Sequence, residues 1–146
     1  MRFMAYPANF LIHPRQHDYA WRFSLLLAVA LVYLPFLNNP LVFDDLSFFR
    51  QAIDKYANAV FHFDLRWFSY STLGVTWVFA GDAPAVYRLQ NLLLHGINVL
   101  LLLLLLRVWL ALFITDAGKQ ENIRRAAWLG ALVFACHPLA VYGVGY

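Results

Sequence analysis

Charge is what this sequence has least of. Of its 146 residues, 62% are hydrophobic and 13% charged, against about 45–50% and about 25% in an ordinary soluble domain. A water-soluble globule is therefore set aside and the chain reads as an integral membrane protein. Cysteine is nearly absent: Cys136 stands alone in an apolar stretch, which excludes an internal disulfide and leaves the redox compartment open. No small-x-small cleavage site precedes Asn38 and Asn39, and the polar lead up to Arg22 is long for a signal peptide, so the first apolar run is expected to stay as an uncleaved helix. Inverted repeats and interrupted helix pairs are also missing, which argues against a transporter. The positive charges do not cluster. A net charge of +3 could suit nucleic acid, but the basic residues are scattered along the flanks of apolar runs, where anionic lipid and topology account for them better.

Three long apolar runs fill most of the chain. The first, "FSLLLAVALVYLPFL", covers Phe23 to Leu37 between Arg22 and Asn38; with its flanks, about residues 21–38, it approaches the roughly 20 residues that cross a bilayer. The second opens at "DAPAVYRLQ", where Asp82 can cap and Pro84 suits a first-turn position, and continues to Leu106 before Arg107. Val108 to Ile114 either lengthens that helix or lies along the interface. The third, about residues 126–146, follows Arg124 and Arg125 and reaches Tyr146 with no polar residue to close it, an ending that looks like a cut. The expected fold is all-α, with three transmembrane helices. Arg2, Arg15 and Arg22 precede the first run, and Arg107, Lys119, Arg124 and Arg125 lie in the segment 107–125. The positive-inside rule thus puts the N-terminus and that segment in the cytoplasm, and the acid-rich loop 39–83 outside.

The outer loop has a pattern of its own. In "DLSFFRQAIDKYANAV", Leu46, Phe49, Ile53 and Tyr56 recur at three- and four-residue spacing, the signature of an amphipathic helix capped by Asp44 or Asp45. "FHFDLRWFSYSTLGVTWVFAG" then supplies aromatic residues, part of the 18% in the whole chain, that suit a membrane interface.

Polar residues inside the second run are the next signal. Asn91, His95 and Asn98 share one helical face, and Tyr87 extends it by a turn. Such side chains are expensive in lipid unless they pair. Two readings stand: bonds between helices, or contact with a substrate. Arg88, next to the stripe, either snorkels toward headgroups or meets a lipid phosphate. The adjacent acids Asp44 and Asp45 are the sharpest feature of the loop. One can serve as a helix cap, but two neighbours cannot make the same capping contacts, and their repulsion favours proton uptake by one. A general base toward a hydroxyl, or a divalent cation held against a phosphate, is the chemistry such a pair permits. A solvated pair of loop acids is the plain alternative.

Taken in order, "LVFDDLSFF", "RWFSYST", "YRLQNLLLHGINVLLLLLL" and "ALVFACHPLAVYGVGY" resemble the amino-terminal part of the polytopic C-type glycosyltransferases, especially the tetratricopeptide-repeat-associated transmembrane O-mannosyltransferases. The resemblance implies transfer of a sugar from a polyprenyl-phosphate carrier to a hydroxyl on a protein or glycan acceptor. It implies that Asp44 and Asp45 orient or deprotonate the acceptor, with a divalent cation still open, and that Arg66 or Arg88 binds the carrier phosphate, with Asn91 and His95 lining the substrate site. It also implies an integral-membrane location, the bacterial inner membrane ahead of the endoplasmic reticulum. Two departures stand out. Tyr142 occupies the position where the family usually has a glutamate after the "HP" of His137 and Pro138, and the family enzymes are several times longer. The competing expectation is a small noncatalytic membrane subunit or assembly factor, because three helices rarely enclose both a lipid-linked donor and an acceptor. In that reading His137 and Pro138 mark only a bend and a freed carbonyl.

Overall fold

The computed structural model describes residues 16–40, 53–58, 67–81, 83–114 and 116–140. All regular structure among the described residues is helical: α1 (Gln16–Tyr33), α2 (Ile53–Ala57), α3 (Trp67–Ala80), α4 (Pro84–Phe113) and α5 (Gln120–Ala135), with 3-10 turns at Leu34–Phe36 and Ala117–Lys119. Pro35 explains the first of these turns, since it has no N–H to continue an α-helix. At the head of α4 Ala83 takes the cap position without a side-chain bond, and Pro84 follows in the first turn; Asp82, expected as a cap, lies outside the described residues. No Gly or Pro interrupts Val108–Phe113, and α4 continues through these residues to reach 30 residues. That settles the choice left open by the sequence: the segment lengthens the helix. Asp116 then accepts from the Gly118 N–H at 2.9 Å and turns the chain sharply into α5.

The three long helices pack side by side, α4 antiparallel to both α1 and α5. Leu25, Val29 and Tyr33 of α1 meet Leu92, Val99 and Leu103 of α4 and Ala127, Ala131 and Ala135 of α5 in one core. Each set recurs at intervals of four or seven residues, which is one helical face. The alanine row lets backbones come close, which matters where lipid removes the hydrophobic drive between helices. A Cβ at Gly130 would lie 2.8 Å from Leu106 Cδ1, and one at Gly96 would lie 3.2 Å from Leu26 Cδ2. Trp128 fixes α5 to α1 by donating toward the Trp21 carbonyl and Ser24 Oγ at 3.2 and 3.1 Å, with its ring edge-on to Trp21.

A smaller cluster joins the intervening segment to the head of α4. Ile53 of α2 and Tyr87 of α4 are buried together against Leu73 and Trp77 of α3. Gly74 makes the α2–α3 approach possible, because a Cβ there would stand 2.7 Å from the Ala57 nitrogen. Gly81, at φ 59°, ends α3 in the left-handed region that favours glycine. Only Ile53–Ala57 of the amphipathic helix expected after Asp45 is described; the part from Leu46 to Phe49 lies outside the described residues.

Two helices are long and apolar enough to cross a membrane, Asp18–Phe36 and Pro84–Phe113. Only 17% and 28% of their most apolar windows are buried within the protein, so neither resembles the core helix of a water-soluble domain. Leu93, Ile97, Leu101 and Leu105 stand exposed along one side of α4. α5 is shorter than the third expected crossing, at 16 residues, because it begins among the basic residues and ends at Ala135. Residues 141–146 lie outside the described part.

Candidate functional site in a polar groove between α4 and α5

Pro138 ends α5 and thereby builds the site. In a continued helix the Leu139 N–H would go to the Ala135 carbonyl. Here it goes to Nδ1 of His137 at 3.2 Å. The Ala135 carbonyl instead lies 3.1 Å from Nε2 of His95. A carbonyl only accepts, so Nε2 carries the proton and donates. The His95 ring is buried, edge-on to Tyr33 at 5.3 Å and tilted against Phe134 at 5.4 Å. Tyr33 in turn donates to the His137 carbonyl at 3.3 Å. The regular helix stops at Ala135, the chain turns through His137 and Pro138, and it is helical again at Ala140; side chains from α1 and α4 take up the freed carbonyls.

Beside this lock an open cavity of about 590 Å³ lies between α4 and the end of α5, lined by Asn91, Leu94, His95, Asn98, Phe134, His137, Leu139 and Ala140. Its volume falls within the range of small-molecule sites, about 300–1,000 Å³. The shared face read from the sequence for Asn91, His95 and Asn98 is real, but its members divide. His95 is committed to the Ala135 carbonyl as helix-to-helix glue. Asn91 is half-buried and Asn98 exposed, and neither makes a hydrogen bond within the described residues; their amides face the groove. His137 joins them from the turn that follows α5. Tyr87 leaves the stripe: it is buried in the α3 cluster and donates to the Gly81 carbonyl at 2.6 Å.

Arg88 does not snorkel. It is 2% exposed, and its Nη2 donates to the Pro40 carbonyl at 2.7 Å. That bond ties the head of α4 to the residue where α1's exit leads toward "LVFDD". Asp44, Asp45 and Arg66 lie outside the described residues. Among the described residues no group of three or more His, Cys, Asp or Glu side chains is placed to hold a metal ion.

No family model, curated protein or solved structure matches the chain. The site therefore stands on its geometry alone.

One pair escaped the reading of the sequence. Arg107, expected in a loop, lies within α4 at 8% exposure and meets Asp18 of α1 at 3.3 Å. Both charges stand at the edges of apolar runs, one acidic and one basic, and in a membrane chain that pairing was the available signal.

Proposed function

We propose that the chain is the amino-terminal part of an integral-membrane glycosyltransferase that takes sugar from a polyprenyl-phosphate carrier. The observation that carries this reading is the groove, in which the Asn91 and Asn98 amides and the His137 ring sit beside Leu94, Phe134 and Leu139. A polar head joined to an apolar tail fits such a lining. The uncommitted amides would hydrogen-bond the head, and the apolar wall would take the first units of the tail. Arg88 supports the reading as a positioning residue, because it holds Pro40, four residues ahead of Asp44, against the same end of α4. Asp44 and Asp45 then act as general base and acceptor-orienting acid, and Arg66 pairs with the carrier phosphate. A divalent cation between the acids and that phosphate is compatible with the same chemistry.

The test is transfer of labelled sugar from a polyprenyl-phosphate donor by membranes holding the protein with whatever sequence its gene continues into. Asp44→Asn or Asp45→Asn at the base position should lower turnover by about 10²–10⁴-fold, and Asn91→Ala with Asn98→Ala should raise the donor KM. Wild-type turnover in all of these variants at unchanged abundance would end the catalytic reading.

The second reading is a noncatalytic subunit. The same free amides favour it, since a helix of another protein could fill the groove and bond Asn91 and Asn98 across the interface. Cross-linking from a photoreactive residue at Asn98 separates the two: a lipid-sized adduct supports the first, a protein adduct the second.

A further inference from the structure

Further along α4, beginning beside the groove at Ile97 and running toward Arg107, Arg22 and Arg107 line a slot of about 240 Å³ whose remaining walls are Ile97, Leu100, Leu101, Leu103 and Leu104. The guanidinium of Arg107 is nine-tenths buried and meets Asp18 through Nη2 at 3.3 Å, while its Nε has no hydrogen-bond partner among the described residues. Buried donors of this kind normally find an acceptor. Arg22 forms no ion pair among the described residues. The charges of Arg22 and Arg124 both act on Arg107, while Glu121 is shared between Arg124 at 3.8 Å and Arg125 at 3.2 Å. Among the described residues Arg22 and Arg107 thus share one acid, Asp18, at this site.

The walls say what kind of anion would complete it. From Arg107 back to Ile97 is ten residues of helix, about 15 Å at 1.5 Å per residue. Half of a hydrocarbon core of about 30 Å is the same length. A slot with arginines at its mouth and aliphatic side chains for the depth of one leaflet is matched to a single lipid. We infer that Arg22 and Arg107 bind the phosphate of an anionic phospholipid whose acyl chain lies along Leu104, Leu101 and Ile97. Arg107 supplies its uncommitted Nε donor and Arg22 the second positive charge. The inference rests on α4 crossing a bilayer and is independent of sugar transfer.

Native mass spectrometry of the full chain, released from detergent holding equal phosphatidylglycerol and phosphatidylcholine, reads the bound lipid directly. The wild type should retain phosphatidylglycerol over phosphatidylcholine by about fivefold, the scale of one arginine near an anionic surface. Because Arg107→Gln would strand Asp18, Arg22→Gln carries the test, and it should bring the ratio close to one. Leu104→Trp, at a half-exposed position, should fill the slot and reduce retention of phosphatidylglycerol while leaving every charge in place. Equal retention of the two lipids by the wild type, or an unchanged preference in Arg22→Gln, overturns the proposal. Displacement of the lipid by millimolar inorganic phosphate also overturns it and assigns the site to a free anion. Flotation with phosphatidylcholine vesicles under alkaline carbonate reads insertion separately. Loss of flotation removes the membrane reading and this proposal together, whereas loss of the lipid preference alone leaves both insertion and the glycosyltransferase reading in place.

Discussion

Replacing His95 by phenylalanine isolates the bond that locks α4 to the end of α5. The ring contacts to Tyr33 and Phe134 can persist, but the Ala135 carbonyl loses its donor, and the Leu139 N–H, its donor in a continued helix, is already held by His137. An orphaned buried acceptor costs about 1–3 kcal/mol. Tyr33→Phe is the matched control. It removes a bond of 3.3 Å to the His137 carbonyl, yet that carbonyl still accepts from the Ala140 N–H at 2.9 Å, so no acceptor is orphaned. The expected loss is the ordinary net value of one hydrogen bond, about 0.5–1.5 kcal/mol and toward its lower end. His95→Ala removes the rings' contact as well, adding about 0.5–1.5 kcal/mol for an aromatic pair and a further term for the cavity. The assay is equilibrium unfolding in mixed micelles with increasing denaturing detergent, followed by tryptophan fluorescence. The order of loss should be His95→Ala, then His95→Phe, then Tyr33→Phe. A His95→Phe protein as stable as the wild type would mean that the Ala135 carbonyl finds another donor, and the account of how α5 ends would fail.

Three further outcomes follow from the same packing. Asp18→Asn or Arg107→Leu should each destabilise by about 3–5 kcal/mol in the same titration, whereas Asp18→Leu combined with Arg107→Leu should be near neutral or stabilising; additive losses would contradict a buried pair. Gly74→Ala should cost about 1–3 kcal/mol by driving α3 away from the Tyr56–Ala57 backbone, read as loss of resistance to proteolysis between Ile53 and Ala80, and unchanged resistance would refute that contact. With Cys136 replaced by serine, an impermeant thiol reagent on intact cells should label Ser47→Cys and spare Asn122→Cys; the reverse pattern would invert the topology and move Asp44 and Asp45 to the cytoplasmic side.

Much of the architecture was legible in the chain because it depends on short-range properties. A run of leucines without Gly or Pro is apolar on every face and helical by propensity, so the identity of α1 and α4 as long apolar helices follows from composition. The common face of Asn91, His95 and Asn98 follows from helical periodicity, which needs no partner to be known. The end of α5 was partly legible too, since a proline cannot donate the next helical bond wherever it sits.

What those polar residues do depends on what stands opposite, and periodicity carries no information about that. His95 and Asn91 share a face, yet only His95 finds a carbonyl within reach, because α5 stops where Pro138 forces it to. Tyr87 shares that face as well, but α3 comes back across the head of α4 and buries it. Arg88 turned inward because Pro40, forty-eight residues earlier, arrives beside it. Arg107 looked like the end of a helix and lies inside α4, where Asp18 on α1 compensates a charge that α4 alone could not bury. Each of these outcomes is set by a contact between helices distant in sequence, and the energy of burying a polar group is decided by such a partner rather than by the residue's own neighbours along the chain.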